Sequence, residues 1–136
     1  MVTSYQRLRD KMTEVSPNIR ENVNLTVERP WGWYTVIAAG KDFTTKIIHV
    51  NPKQKLSVQS HEHRSEHWVI LSGTAKVLLE GKEYILSRGH SIDIGVRAIH
   101  SLQNPYDDGL EVIEIQMGDI LSEDDITRYE DIYGRV

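Results

Sequence analysis

The chain contains no cysteine, which excludes disulfides and thiolate metal sites and leaves nitrogen and oxygen as the donors to any metal. It has no apolar run near the ~20 residues that cross a bilayer, and its first residues lack the apolar segment of an export signal. Both absences fit a cytoplasmic protein with no membrane partner. Basic residues are in deficit, with 16 Lys and Arg against 20 Asp and Glu and a net charge of −4. They are also scattered, so nothing marks a nucleic-acid footprint. A small-molecule partner is expected instead. Internal repeats, low-complexity stretches and linkers are missing too, which argues for one domain in a chain of 136 residues.

What is present reads mostly as strands. Thr3 or Ser4 can cap a short N-terminal helix in which Tyr5, Leu8, Met12 and Val15 recur at helical spacing. From Val23 the period changes to two, and short β-rich runs follow at Trp33 to Ala38, Thr44 to Val50, Leu56 to Gln59 and Glu66 to Leu71. Ala75 to Leu79 and Tyr84 to Leu86 flank Glu80-Gly81-Lys82, a tight hairpin signal. Further short runs cover Ser91 to Ile94, Ile99 to Gln103 and Leu110 to Gln116. Turn signals every 8–12 residues without βαβ alternation predict an all-β sandwich or small barrel. At the tail, Ser122 with Asp125 three residues on predicts a capped helical turn carrying Ile126 and Tyr129.

Chemistry concentrates between Gln59 and Gly73, where His61, His63 and His67 stand beside Glu66. Imidazole nitrogens and a carboxylate at this density suit a divalent metal. An isolated H-x-H pair is ordinarily a solvated loop feature, so spacing has to decide. Downstream, Gly89, Gly95, His100 and Asn104 fall at the intervals of the second cupin motif, with Gly95 in place of its proline and Arg97 in place of its second glycine. Upstream, Glu66 followed by six residues and Gly73 fits the end of the first motif. The resemblance extends to R-P-W-G-W-Y at Arg29 to Tyr34, H-R-S-E-H-W at His63 to Trp68, S-G-T-A at Ser72 to Ala75, and the run from Glu123 to Arg135. Together these resemble the cupin domain of type II mannose-6-phosphate isomerases, often the C-terminal module of bifunctional isomerase and mannose-1-phosphate guanylyltransferase proteins.

The resemblance, which runs from about Val27 to Arg135, implies a double-stranded β-helix (jelly-roll) barrel; the domain is set at residues 22–136, with the helix read above in an extension of residues 1–21. It implies a metal held by Gln59, His61, Glu66 and His100, with His63 a ligand only if the histidine-to-glutamate gap shrinks to two. Zinc is the default ion, with manganese, iron, nickel and cobalt chemically compatible. The implied activity is isomerisation of mannose 6-phosphate and fructose 6-phosphate through an enediolate. Guanylyltransferase activity is not expected, because no nucleotidyltransferase domain is present. His63 is the first candidate for the general base, with Lys46 and Glu114 behind it. Arg29, Lys46 and Arg97 are candidates for holding the substrate phosphate.

Alternation puts Thr44, Lys46 and Ile48 on one face and Phe43, Thr45 and Ile47 on the other, without saying which is interior. If Glu66 and Trp68 face the cavity, His67 faces away. Arg128 and Arg135 read by default as exposed helix residues, with contact to a substrate or a neighbouring subunit as the lesser alternative. Cupin barrels commonly pair through edge strands, so a homodimer is expected. Two other functions fit the same residues. One is a non-catalytic metal-binding cupin that recognises a sugar phosphate or sugar nucleotide; the other is a metal oxygenase, against which Gln59 argues.

Overall fold

The computed structural model describes residues 3–4 and 24–135. The helix expected from residue 5, and the strand start expected at Val23, lie outside the described residues. The alternating runs form eleven strands among those described. They are β1 (Leu25–Arg29), β2 (Gly32–Ala39), β3 (Phe43–Val50), β4 (Val58–Ser60), β5 (Ser65–Ser72), β6 (Thr74–Leu79), β7 (Lys82–Ser87), β8 (Ser91–Ile94), β9 (His100–Gln103), β10 (Leu110–Met117) and β11 (Thr127–Glu130). One sheet runs β1-β2-β3-β10-β5-β8 and the other β11-β4-β9-β6-β7, all pairs antiparallel. This is the all-β jelly-roll architecture expected.

The interior changes character along β10. Its inward residues pair by register with those of β3 and β5. Leu110 lies opposite Val50, and Val112 lies between Ile48 and Ile70. Two residues on, Glu114 lies between Lys46 and Trp68, and after it Gln116 between Thr44 and Glu66. One end of the barrel is therefore closed by aliphatic side chains, to which β6 and β9 add Ala75, Val77 and Leu102. Each fully buried aliphatic side chain contributes about 1.5–3 kcal/mol, so this end carries most of the apolar stabilisation. The other end is lined by titratable and amide groups.

Backbone requirements explain several of the motif residues. Gly73, in the turn from β5 to β6, has φ 80°, and a Cβ there would sit 2.5 Å from the Gly109 carbonyl oxygen. Only glycine fits such an approach. Glu80 and Gly81 both have positive φ, 48° and 80°, as a two-residue hairpin turn of the primed type requires. Asn104 is 1% exposed, and its amide donates to the carbonyls of Val50 and Asp108 at 3.1 and 2.7 Å. It ties the turn after β9 to the end of β3.

The tail departs from the expected helical turn. Ser122 Oγ does accept the Asp124 N–H at 3.1 Å, but the chain then extends as β11 and pairs with β4. Two demands outweigh the helical signal. The Asp125 carboxylate, instead of capping a helix, accepts the N–H groups of Glu62 and His63, each at 2.9 Å. In addition, β4 would otherwise be an edge with unpaired backbone groups, which β11 satisfies.

Candidate functional site

Three adjacent strands bring the site together. On the second sheet His100 of β9 is paired with Gln59 of β4, and Gln59 in turn with Arg128 of β11. Glu66 comes from β5 on the opposite sheet, and His61 from the loop just after β4. His61, Glu66 and His100 are all buried, and donor atoms of the three lie within 4.8 Å of one another. The Glu66 carboxylate is 3.7 Å from His61 Nε2 and 3.2 Å from His100 Nε2.

The outer ring nitrogens fix the tautomers. His61 Nδ1 is 2.7 Å from the Asp125 carbonyl oxygen, and His100 Nδ1 is 2.9 Å from that of Ala98. A carbonyl only accepts, so each Nδ1 carries hydrogen and, in the neutral ring, each Nε2 turns a lone pair toward Glu66. Metal-binding histidines are oriented in this way by their second nitrogen. Trp68 meets the His100 ring edge-on, with centroids 5.5 Å apart, and holds it in place.

A cation already sits on this donor set. The Arg64 guanidinium donates through Nε to Glu66 Oε2 at 3.0 Å and lies with Nη2 3.2 Å from His61 Nε2. Glu66 Oε1 is buried and, among the described residues, has no aligned hydrogen bond. Two imidazole lone pairs and a carboxylate with one oxygen unpaired fit a divalent ion. Charge follows the same logic. Burial alone would push Glu66 up, but His100, Arg64 and His61 hold it down at about 2. Burial lowers His61, whereas for His100 burial is outweighed by Glu66 and the net direction is upward.

The cavity wall beside the cluster carries a second set of groups. Lys46, 4% exposed, lies 4.2 Å from the Tyr34 ring centroid and pairs with Glu123. Glu114, 6% exposed, accepts from Gln116 Nε2 at 2.6 Å and from Trp68 Nε1 at 3.2 Å. Burial, and then the charge of Glu66, raise its carboxyl to about 7. Arg29, Gln59, Arg128 and Arg135 line the same cavity.

Comparison with known proteins converges on one family. The family described as mannose-6-phosphate isomerase C-terminal matches residues 17–131. The chain belongs to that family. It is 48% identical over 110 residues to the mannose-1-phosphate guanylyltransferase ManC of Salmonella typhimurium, covering 81% of this chain and 23% of that protein. It is 47% identical to the alginate biosynthesis protein AlgA of Pseudomonas aeruginosa, covering 80% and 23%. The chain thus spans about a quarter of the length of these relatives. In fold it is similar to an RmlC-like cupin from Shewanella frigidimarina, with a TM-score of 0.68, 17% identity and 79% and 97% of the two chains covered.

The structure brings together most of the residues that the resemblance to this isomerase family singled out, and separates two. Gln59 lines the cavity; its amide nitrogen donates to Ser57 Oγ at 3.1 Å, and its carbonyl oxygen has no hydrogen bond among the described residues. Lys46 and Glu114 face inward, which settles the face of β3. His63 is exposed on the loop between β4 and β5 and does not line the cavity, because Asp125 holds its backbone and Arg64 is the side chain that turns in. Arg97 is exposed as well and outside the lining. Its φ of 65° shows why the cupin motif has glycine there, and its N–H donates to the His61 carbonyl at 2.8 Å. His67 faces outward and pairs with Asp93.

Sequence reasoning passed over Arg64, although Arg64 and Glu66 stand two apart and share a face. By default it also placed Arg128 and Arg135 on an exposed helix; both are half-buried at the cavity wall, Arg128 on β11. The alternation in T-R-Y-E was the available signal. No helix among the described residues is long and apolar enough to cross a membrane.

Proposed function

We propose that this cavity is a metal-dependent aldose–ketose isomerase site acting on mannose 6-phosphate and fructose 6-phosphate. The observation that carries the reading is the pairing of a His61, Glu66 and His100 cluster, its lone pairs converging, with a separate buried carboxyl, Glu114, on the adjoining wall. Family membership supports the substrate. Gln59 completes the ligand set through its carbonyl oxygen. A divalent ion, zinc by default, supplies Lewis-acid stabilisation of the charge that develops on the substrate carbonyl oxygen.

The chain's own residues do the rest. Isomerisation transfers hydrogen from C2 to C1 and moves the hydroxyl proton from O2 to O1. Glu114 takes the C2 proton as carboxylate and returns it to C1 from the same face, leaving the base unchanged at the end of the cycle. A carboxyl raised to about 7 is matched to both halves of that transfer, since a base poised near the working pH both accepts and releases its proton readily. The Lys46 ammonium is the donor placed to serve the oxygens. Trp68 and Tyr34 line the same cavity.

The test is a coupled assay of mannose 6-phosphate conversion with metal analysis of the same sample. His61→Ala and His100→Ala should each lose bound metal and turnover together. A full metal equivalent in both variants would sink the ligand set. Metal and sugar phosphate bound without turnover would favour the binding module over the enzyme.

A further inference from the structure

Five cationic side chains line the cavity, namely Arg29, Lys46, Arg64, Arg128 and Arg135. Three have carboxylate partners. Lys46 pairs with Glu123, Arg64 with Glu66, and Arg135 holds Asp131 through Nε at 2.7 Å and Nη2 at 3.1 Å. Arg29 and Arg128 have none among the described residues. The guanidinium of Arg29 donates only to the Glu28 carbonyl, at 3.2 Å, and rests 5.5 Å from the Tyr34 ring centroid. Arg128 Nε is buried and has no hydrogen-bond partner among the described residues. A buried guanidinium N–H left without a partner is costly unless a ligand supplies the acceptor.

We propose that Arg128 and Arg29 form an anion subsite for the phosphoryl group of an open-chain sugar phosphate whose reacting end faces His61, Glu66 and His100. The placement follows from register. Arg128, Gln59 and His100 lie across one line of β11, β4 and β9, so their side chains share the inner face, and Arg128 stands two strand spacings, about 10 Å, from His100. That separation is comparable to an extended six-carbon phosphate ester. Phosphate chemistry is favoured over a carboxylate because two guanidinium forks need more acceptor oxygens than one carboxylate offers, and a phosphoryl group has three. The tail of the chain therefore sets specificity: β11, through Arg128, distinguishes a phosphorylated sugar from a free one.

This rests on the isomerase reading for the identity of the sugar, but its test does not. Inorganic phosphate, fructose 6-phosphate and fructose are titrated calorimetrically against metal-stripped protein. Phosphate and fructose 6-phosphate should bind, and fructose should bind far more weakly. Arg128→Gln and Arg29→Gln should each weaken phosphate binding by about 10- to 100-fold, Arg128→Lys should recover part of the loss, and Arg97→Gln should change nothing. Metal uptake by Arg128→Gln should stay at the parental level. Because Arg29 is exposed, its variant keeps the test informative if Arg128→Gln loosens β11. Parental phosphate affinity in both glutamine variants, or equal affinity of the parent for fructose and fructose 6-phosphate, would overturn the proposal. Loss of turnover in the parent with this binding pattern intact would refute the isomerase reading and leave the subsite standing.

Discussion

Replacing Glu114 with glutamine should reshape the pH dependence of stability in a way that no surface carboxylate can. The folded-state value is about 7 against 4.5 for the free side chain. Between those two values the folded chain keeps a proton that the unfolded chain has released. Stability attributable to this group is therefore complete below pH 4.5 and declines as pH rises to about 7. Above that both states are ionised, and the buried charge costs the folded state on the order of 3 kcal/mol. Glutamine has nearly the same shape and no charge at any pH. Its carbonyl can serve one of the two donors that Glu114 now accepts, Gln116 Nε2 and Trp68 Nε1, and its amide hydrogens face the other. This leaves a roughly constant penalty of about 1–2 kcal/mol.

The variant should consequently be less stable than the parent at pH 5 and more stable at pH 8. Urea unfolding of metal-free protein at the two pH values measures this directly. The difference between parent and variant should change by about 2–3 kcal/mol, equivalent to a relative midpoint shift of roughly 1–2 M urea. Parallel pH curves for the two proteins would show that Glu114 is ionised in the folded state at pH 5, and its role as a neutral-range base would fall with that result.

Two further substitutions probe the backbone. Gly73→Ala puts a methyl group 2.5 Å from the Gly109 carbonyl at a φ of 80°, whereas Gly81→Ala meets the same φ with nothing within 4 Å. Thermal melts should show a loss of about 1 kcal/mol for Gly81→Ala and roughly 3 kcal/mol or more for Gly73→Ala, and equal losses would mean that the close approach does not constrain the turn. Arg97→Gly relieves a left-handed residue whose side chain is exposed and should raise the melting temperature by about 2–4 °C. A lower melting temperature would indicate that the Arg97 side chain has a partner the structure does not show.

The alternating runs and turn residues made ten of the eleven strands legible because burial on one face forces period two, and glycine or asparagine with aspartate marks where the chain must reverse. The exception, β11, is four residues long and stands behind a Ser-x-x-Asp signal that also opens helices. What decides it lies elsewhere in the chain: the free edge of β4 and the two N–H groups at Glu62 and His63 that claim the Asp125 carboxylate. Local pattern contains neither. The same distinction separates the site residues. Gln59, His61, Glu66 and His100 are reached through the resemblance to the cupin motifs, and strand alternation then gives a direction to the three that lie on strands. His63 shows the limit of that route: it shares a loop with His61, where strand alternation gives no direction, and there His61 and Arg64 turn inward while His63 stays exposed. Lys46 and Glu114 show the complementary case. Each stands next to two aliphatic inward residues of its strand, Ile48 and Val50 on β3 and Leu110 and Val112 on β10, and a charged group that continues such a row is either an error in register or a functional group held at a cost. Cross-strand register places them opposite each other, at the point where the aliphatic half of the barrel ends. The fold thus places its titratable groups where the apolar core that holds the strands has just been completed, so that the chemistry is positioned by packing it does not itself supply.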